Sequence, residues 1–157
     1  MERTEELTRL YHLLPHPEGG SFAEVYTSSA AVYGRALAGS IYFLLNGEDI
    51  SHLHVIDCEE VWYYHEGTGL TLTLIAPDGA VTRETLGADA ARGERFMLAV
   101  PAGTAFASEN ADKRGYTFVS CMTAPRFSYD GFRLLTRAEL EQLCPQEADS
   151  LGYLIAE

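Results

Sequence analysis

The sequence predicts an all-β fold, a barrel or sandwich of short strands with short helices at the two ends of the chain. Segments of apolar or alternating residues follow one another between residues 21 and 135, and turn residues such as Pro77-Asp78-Gly79 separate them. Helical periodicity occurs only near the termini. Short strands separated by frequent turns are typical of sandwiches and barrels. The length of 157 residues suits a single domain, which we expect over residues 1–157.

A helix is predicted near each end of the chain. Over Glu2–Leu14, apolar residues recur at spacings of three and four and a proline follows. Near the other end, Thr136 and Glu139 form a capping box for a helix that reaches Leu143. Residues 146–157 are predicted only as a packed tail.

The strands are predicted from runs of β-branched, aromatic and other apolar residues bounded by turn residues. Residues 87–95 are predicted as a polar loop and residues 110–115 as a turn. The predicted strands are Ser21–Thr27, Leu37–Leu45, Leu70–Ile75, Val81–Leu86, Phe96–Val100, Thr104–Ser108, Tyr116–Met122 and Phe132–Leu135, with two more inside residues 47–67.

Some of these strands are apolar on both faces, as in residues 40–45. Something must therefore cover the outer face of the sheet as well as its inner face. A second subunit is the economical cover, and we expect a homodimer.

The composition argues against polyanionic partners. Asp and Glu number 23 against 11 Lys and Arg, which gives a formal charge of −12. That field repels nucleic acid and anionic membranes, so neither is expected as a partner. No apolar run is long enough to span a membrane. A small-molecule ligand stays compatible with the charge.

The expected compartment is the cytoplasm. The first ten residues are charged and lack the apolar core of a secretory signal. Cys58, Cys121 and Cys144 are odd in number and have no C-x-x-C spacing, which favours reduced thiols. Cys58 and Cys121 are expected to be small buried groups rather than nucleophiles.

Chemistry-bearing side chains concentrate in residues 47–67. His52 and His54 are two apart on a predicted strand, so both should point to one face. Glu60 follows on the next strand. If the two strands pair, two imidazoles and a carboxylate meet at one point. This is the ligand set of a 2-His-1-carboxylate metal site, or of an acid/base pocket without metal, and both alternatives stay open.

Aromatic residues on neighbouring segments are candidates for the walls of the same site. Trp62 and Phe106 would supply apolar walls, and Tyr26, Tyr42 or Tyr64 would donate a proton or stack on a ligand ring. Glu24 lies between two aromatic residues of one strand face, which is either a ligand position or a solvated edge. His12 and His16 belong to no recognisable constellation.

The central stretch resembles the first motif of the cupins, small jelly-roll barrels also described as double-stranded β-helices. That motif combines a His-x-His pair, a glutamate and, after six residues, a glycine. His52-Leu53-His54, Glu60 and Gly67 match it here. Five residues separate His54 from Glu60, one more than is usual in the family.

The second cupin motif is Pro-x-Gly, two residues, a histidine, three residues and an asparagine. Pro101-Ala102-Gly103 and Asn110 match it, but Phe106 stands at the histidine position. Because cupin metal sites usually have three histidines and one glutamate, this departure removes one ligand. The resemblance therefore implies either a divalent metal (Fe, Mn, Ni or Zn) on His52, His54 and Glu60, or no metal.

More narrowly, the chain resembles an uncharacterised cupin subgroup often labelled predicted sugar-epimerase-like. Five ordered blocks, which cover about residues 7–144, carry this likeness: HPEGGSFAEVYTSS, SIYFLLNGEDISHLHVIDCEEVWYYHEG, LTLTLIAPDG, VPAGTAFA and SCMTAPRFSYDGFRLLTRAEL. The resemblance implies a double-stranded β-helix with short terminal helices. It also implies an epimerase or isomerase acting on a sugar or similar small polar metabolite.

For that activity, His54 with Glu60 would form the base and Tyr64 the proton donor, and these three are the predicted catalytic residues. The predicted ligand-binding residues are Glu24, Tyr26, Tyr42, His52, Trp62 and Phe106. Two other functions stay open: a non-catalytic ligand-binding cupin and a metal-dependent oxygenase. The phenylalanine at position 106 makes the oxygenase the less favoured of the two.

Overall fold

Two antiparallel sheets face each other in the computed structural model, which describes residues 2–157. The strands are β1 Leu14–Pro15, β2 Ser21–Thr27, β3 Ala31–Val32, β4 Arg35–Ala36, β5 Gly39–Asn46, β6 Ile50–Ile56, β7 Glu59–Gly67, β8 Leu70–Ile75, β9 Val81–Leu86, β10 Met97–Val100, β11 Ala105–Asn110, β12 Tyr116–Ala124 and β13 Phe132–Leu134. One sheet has the order β1-β2-β5-β12-β7-β10 and the other β13-β6-β11-β8-β9. The predicted all-β fold is confirmed.

Most predicted strands occur within one or two residues of their expected bounds. The short hairpin β3–β4 is an addition that its two-residue strands, Ala31–Val32 and Arg35–Ala36, were too short to signal. Its turn contains Tyr33 and Gly34, both with positive φ angles of 50° and 77°. Residues 87–95 form the expected loop around a turn of 3-10 helix.

The inner faces of the two sheets share one apolar core. Its buried members come from both sheets and include Phe43, Leu45, Trp62, Leu72 and Phe106. Alternation along the strands places these side chains inward and their neighbours outward. The core fills much of the barrel interior.

In the described part of the chain, three α-helices flank the sheets: α1 Arg3–Tyr11, α2 Arg137–Leu143 and α3 Ala148–Leu151. Helix α1 ends earlier than predicted because His12 takes a left-handed conformation, and Leu13 then turns into a small cluster with Leu44 and Phe118. The predicted capping box of Thr136 and Glu139 is present at the start of α2. No helix within residues 2–157 is long and apolar enough to cross a membrane.

The two outer faces are covered differently. Helices α2 and α3 and residues 152–154 pack on the five-stranded sheet, where Leu53, Leu140 and Leu151 are buried together. Helix α1 covers only part of the six-stranded sheet, through Leu7 and its neighbours. The C-terminal segment therefore covers the outer face of the five-stranded sheet, a role for which the sequence analysis expected a second subunit. The homodimer stays a prediction.

Within residues 2–157, three register shifts break the strict alternation of faces, one of them between Phe118 and Val119 where β12 pairs with β7. Along β6 and β11, Phe106 lies opposite His54 but Ser108 lies opposite Ser51, so three residues of β6 span two of β11. A second register shift separates Glu24 from Tyr26 on β2. A bulge turns the following side chains to the other face, and the shifts in β6 and β2 fall beside predicted site residues.

Candidate functional site

A largely enclosed cavity of about 40 Å³ lies inside the barrel. By this measure it has room for about three water-sized groups. Apolar walls come from Phe22, Ile41 and Phe127. The titratable side chains that line it are His16, Glu18, Glu24, His54, Glu60, Cys121 and Tyr129. Each of four other cavities in residues 2–157 brings fewer titratable groups together.

A tight turn over residues 16–20 carries Glu18 into this cavity. The Gly19 N–H donates to the His16 carbonyl oxygen at 3.0 Å, and the His16 N–H donates to the Gly20 carbonyl oxygen at 2.9 Å. Gly19 has a φ angle of 109°, and a Cβ there would collide with the Ile50 carbonyl oxygen. Only glycine fits this close approach, so the Gly-Gly pair fixes where the Glu18 side chain enters.

Glu18 and His54 form a buried ion pair. The Nε2 atom of His54 lies 2.9 Å from Oε2 of Glu18, and both side chains are less than a tenth exposed. The other ring nitrogen, Nδ1, lies 2.7 Å from the His52 carbonyl oxygen. A carbonyl only accepts, so Nδ1 carries a proton, and Nε2 then donates the second proton to the carboxylate. The pair is an imidazolium and a carboxylate.

The environment explains why this pair is charged. Burial disfavours both charged forms, but the attraction between the partners outweighs it. The pKa of His54 is raised above its ordinary 6.5 by the carboxylates of Glu18 and Glu60. The pKa of Glu18 is lowered below its ordinary 4.5, against the effect of burial, mainly by His54.

Glu60 behaves in the opposite way. Its side chain is buried and lacks a cation of its own, and burial together with the Glu18 charge raises its pKa from 4.5 to about 8. At neutral pH it is therefore a protonated carboxylic acid that can donate a hydrogen bond or a proton. Two carboxyl groups in one cavity thus have pKa values that are pushed apart.

His16 is the second imidazole of the cavity. The Glu18 backbone N–H donates to its Nδ1 at 3.1 Å. Its ring packs edge-on against Phe22, with the centroids 4.6 Å apart, and lies near Phe43 and Phe127. Burial lowers its pKa below 6.5, so the ring is neutral at pH 7.

Three of the nine predicted site residues line the cavity: His54, Glu60 and Glu24. Glu24 lies at the edge and pairs with Arg126 at 2.9 Å. Phe106 is fully buried directly beneath, with its ring centroid 4.1 Å from that of His54.

The aromatic predictions fall elsewhere. Tyr26 is 57% exposed because the bulge after Glu24 turns it outward. Tyr42 packs with Tyr11 and Phe118 beneath α1 on the outer face. Tyr64 packs against the core and donates its hydroxyl to the Gly67 carbonyl oxygen, and Trp62 is buried in the core. None of these four side chains lines the cavity.

His52 does not share a face with His54. The bulge in β6 turns its ring away from the cavity, toward an outer pocket that it lines with Arg137 and Tyr153. There its Nδ1–H donates to the Glu18 carbonyl oxygen at 2.8 Å, and its backbone N–H donates to the same oxygen at 2.7 Å. His52 therefore holds the backbone of Glu18 from outside.

The residues present do not fit the divalent metal site inferred from the sequence. His52, His54 and Glu60 are not assembled, and the Nε2 atom of His54 is already bound to Glu18. In the described part of the chain, no group of three or more His, Cys, Asp or Glu side chains is arranged to hold a metal ion. Phe106 also fills the position beside His54 where a further ligand would stand.

Sequence reasoning missed His16, Glu18 and Cys121. A signal for the first two exists in the stretch His16-Pro17-Glu18-Gly19-Gly20, where a histidine and a glutamate flank a proline before two glycines. The register of β12 beside β7, in which Cys121 lies opposite Trp62 and Thr123 opposite Glu60, had no sequence signal. Cys58 and Cys121 are buried, as expected, and Cys144 is buried as well; all three are free.

Comparison with known proteins agrees with this architecture. A family model described as cupin superfamily (DUF985) matches residues 5–135. A hypothetical protein from Leishmania major is 34% identical, with a TM-score of 0.91 over 99% of this chain and 100% of its own. A protein from Shewanella oneidensis is 36% identical, with a TM-score of 0.93 over 99% of both chains.

More distant similarity reaches oxalate decarboxylase from Bacillus subtilis. One structure of that enzyme is 16% identical, with a TM-score of 0.59 over 92% of this chain and 37% of its own. At this identity the likeness shows the fold alone. No curated protein matches the sequence.

Proposed function

This chain belongs to the cupin superfamily, in the family described as DUF985, and we propose that its barrel cavity binds a small uncharged polar metabolite and catalyses a proton transfer within it. The reaction class is an epimerisation or isomerisation beside a carbonyl group, as on a sugar or a related hydroxycarbonyl compound. Glu18 is the proposed base and Glu60 the proposed acid.

The single observation that carries the proposal is the contrast between these two carboxyl groups. Both line the same cavity, yet the pKa of Glu18 is lowered and that of Glu60 is raised to about 8. Two carboxyl groups whose environments separate their pKa values are the usual basis for assigning a base and an acid. At pH 7 one is ready to accept a proton and the other to donate one.

The charges of the cavity support an uncharged substrate. Glu18 is balanced by His54, Glu24 is balanced by Arg126, and Glu60 and His16 are neutral at pH 7. No cation that lines this cavity in residues 2–157 is left for an anionic group of a substrate. A carboxylate or phosphate inside would therefore be desolvated without a partner, which is costly.

The proposed steps use the two oxygens of Glu18 differently. His54 holds Oε2 and so orients Oε1, which takes the proton from the carbon next to the carbonyl. The two electrons of that C–H bond form the C=C bond of an enediol while Glu60 gives its proton to the carbonyl oxygen. Return of a proton to either carbon, or to either face, yields the isomer or the epimer.

Exchange of carbon-bound protons into D2O tests this proposal directly. The purified protein is incubated with the small hydroxycarbonyl compounds glycolaldehyde, glyceraldehyde, dihydroxyacetone and hydroxyacetone, and loss of the α-proton is followed by NMR. We expect exchange with at least one compound. Glu60→Gln should reduce its rate by about 10²-fold or more, because general acid–base groups contribute that much.

Glu59→Gln is the matched control. Glu59 is the sequence neighbour of Glu60 on the same strand, but its side chain faces solvent. The Glu59→Gln variant should keep the wild-type rate. Equal losses in the two variants, or exchange in neither the wild type nor the variants, would contradict the proposed acid–base role.

A non-catalytic binding module is the second candidate. One observation favours it: Tyr64, the predicted proton donor, does not line the cavity, and its hydroxyl donates to the Gly67 carbonyl oxygen instead. Calorimetric binding of a sugar without any proton exchange would support this function over catalysis. An oxygenase would instead require stoichiometric iron or another redox metal in elemental analysis. A cytoplasmic location stays a prediction.

A further inference from the structure

We infer that His16 is a further catalytic residue, whose neutral ring donates a hydrogen bond from Nε2 to the carbonyl oxygen of the ligand. The reaction in which it acts is the one proposed above, so the inference rests on that function. It adds a residue and narrows the ligand to compounds that carry a carbonyl group.

The tautomer of His16 is set by its neighbour. The Glu18 backbone N–H points at Nδ1 of His16 at 3.1 Å, and a backbone N–H only donates. Nδ1 must therefore present a lone pair, and the single ring proton of the neutral imidazole lies on Nε2. The tight turn over residues 16–20 keeps these two groups together.

The surroundings of the ring keep it neutral. Phe22, Phe43, Phe127 and Tyr129 have ring centroids 4.6 to 6.3 Å from that of His16. The nearest carboxylate is that of Glu18, whose Oε1 is 3.8 Å from Nδ1 and whose charge is already balanced by His54. An imidazolium would lose its hydration here without gaining a free counter-ion.

The Nε2–H group has no hydrogen-bond partner within residues 2–157, although the His16 side chain is only 6% exposed and lines the cavity. The Nε2 atom keeps some accessible surface. An oxygen atom of a ligand in the cavity can therefore accept its hydrogen bond. The other groups complement it: the Glu18 carboxylate accepts, and the Glu60 acid donates. Two donors and one base match a carbonyl oxygen next to an acidic C–H.

A neutral imidazole is a suitable donor to an oxygen that gains negative charge. Its hydrogen bond strengthens as the enediol forms, so it stabilises the transition state more than the bound substrate. Transfer of a proton to this oxygen is the proposed role of Glu60. His16 therefore needs only to donate a hydrogen bond, which a neutral imidazole does.

The first test is the tautomer itself, in the resting protein and without any ligand. Long-range ¹⁵N–¹H NMR at pH 7 should show His16 with an unprotonated Nδ1 and a protonated Nε2. The opposite tautomer, or an imidazolium at this pH, overturns the inference. This result does not depend on whether the protein catalyses anything.

The second test uses hydroxyacetone and propane-1,2-diol, which differ only in the carbonyl group. Hydroxyacetone should shift the Nε2 and Nε2–H resonances of His16, whereas the diol at the same concentration should not. Equal responses, or none from hydroxyacetone, overturn the inference. If the carbonyl probe shifts His16 but no compound exchanges its protons, the proposed reaction fails while the inferred donor stands.

The third test compares two substitutions in the exchange assay. His16→Phe keeps an aromatic ring among aromatic neighbours but removes the donor, and it should lower kcat about 10²-fold with little change in KM. His16→Gln places an amide N–H near the former Nε2 and should recover part of the loss. Thermal unfolding identifies variants that do not fold. Folded His16→Phe with wild-type kcat, or His16→Gln no better than His16→Phe, contradicts the role.

Discussion

The Nε2 atom of His54 lies 2.9 Å from Oε2 of Glu18 in the interior of the barrel. The neighbouring imidazole, His52, donates from Nδ1 to the carbonyl oxygen of the same glutamate at 2.8 Å. The two histidines of the His-x-His pair thus hold one residue from opposite sides, one by its carboxylate and the other by its backbone. A pattern typical of metal ligands here positions an acidic side chain.

Substitution of Glu18 should expose the cost of breaking this pair. We expect Glu18→Gln to lower the free energy of unfolding by about 3–5 kcal/mol, because it leaves a buried imidazolium without its counter-ion. The pKa of His54 should fall at the same time, since its main charged partner is lost. Urea unfolding at pH 7 and an NMR titration of His54 measure the two effects.

Glu24→Gln is the control for this prediction. Glu24 also forms an ion pair at 2.9 Å, with Arg126, but its side chain is 60% exposed. Exposed pairs contribute about 0–1 kcal/mol, so this variant should unfold almost as the wild type does. Equal losses in the two variants would show that burial of the Glu18–His54 pair is not the decisive factor.

His52 should act as a positioning residue rather than a metal ligand. We expect His52→Ala to cost about 1 kcal/mol in unfolding free energy, the typical value of one hydrogen bond. His52→Asn, whose amide N–H can replace Nδ1–H, should recover most of it. Elemental analysis should give the same metal content for both variants and the wild type. A metal content that falls only in the variants would reinstate His52 as a ligand.

The fold could be predicted because strand pattern, turn residues and motif order all agree. The candidate site was predicted only in part, since the face of a strand follows from alternation only where no bulge occurs. His54, Glu60 and Glu24 line the cavity, whereas His52 and Tyr26 lie beside bulges and point elsewhere. Single-sequence alternation does not locate an extra residue in a strand.

The base itself was missed for a different reason. Glu18 lies on a turn, outside any strand, and reaches the cavity because two glycines allow the chain to press against the Ile50 carbonyl. A turn gives no periodic pattern from which the direction of a side chain follows. The pairing of residues 16–20 with β6 is a long-range contact that the sequence does not encode locally.

The homodimer prediction can be tested on the uncovered part of the six-stranded sheet. Tyr63 and Met97 lie opposite each other on β7 and β10 and are 40% and 50% exposed. Their outward neighbours Val61 and Met122 are also uncharged. Because each copy carries a net charge of −12, this patch of uncharged side chains is where a second copy can approach.

We expect sedimentation equilibrium to give twice the chain mass, and Met97→Glu to give a monomer. Leu14→Glu, at the far edge of the same sheet and 66% exposed, is the control that should stay dimeric. A monomeric wild type would contradict the prediction, as would a Met97→Glu dimer of unchanged affinity.

The pH dependence of stability should report the protonation of Glu60. Its pKa is about 8 in the folded protein and 4.5 when unperturbed, so the folded state holds a proton that the unfolded state has released between these values. The stabilisation is fully present below pH 4.5 and is lost as the pH rises through 8. His54, whose pKa is raised above 6.5, acts in the same direction at higher pH. His16 acts in the opposite direction below pH 6.5, because its folded pKa is lowered.

Glu60→Gln keeps the shape and the neutral form of the acid, so the difference between wild type and variant isolates this group. We expect urea unfolding to give a free energy that falls by up to about 1.4 kcal/mol per pH unit more steeply for the wild type than for the variant between pH 5 and 8. Parallel curves over this range would mean that Glu60 is ionised at neutral pH, and its role as the proton donor would then be lost.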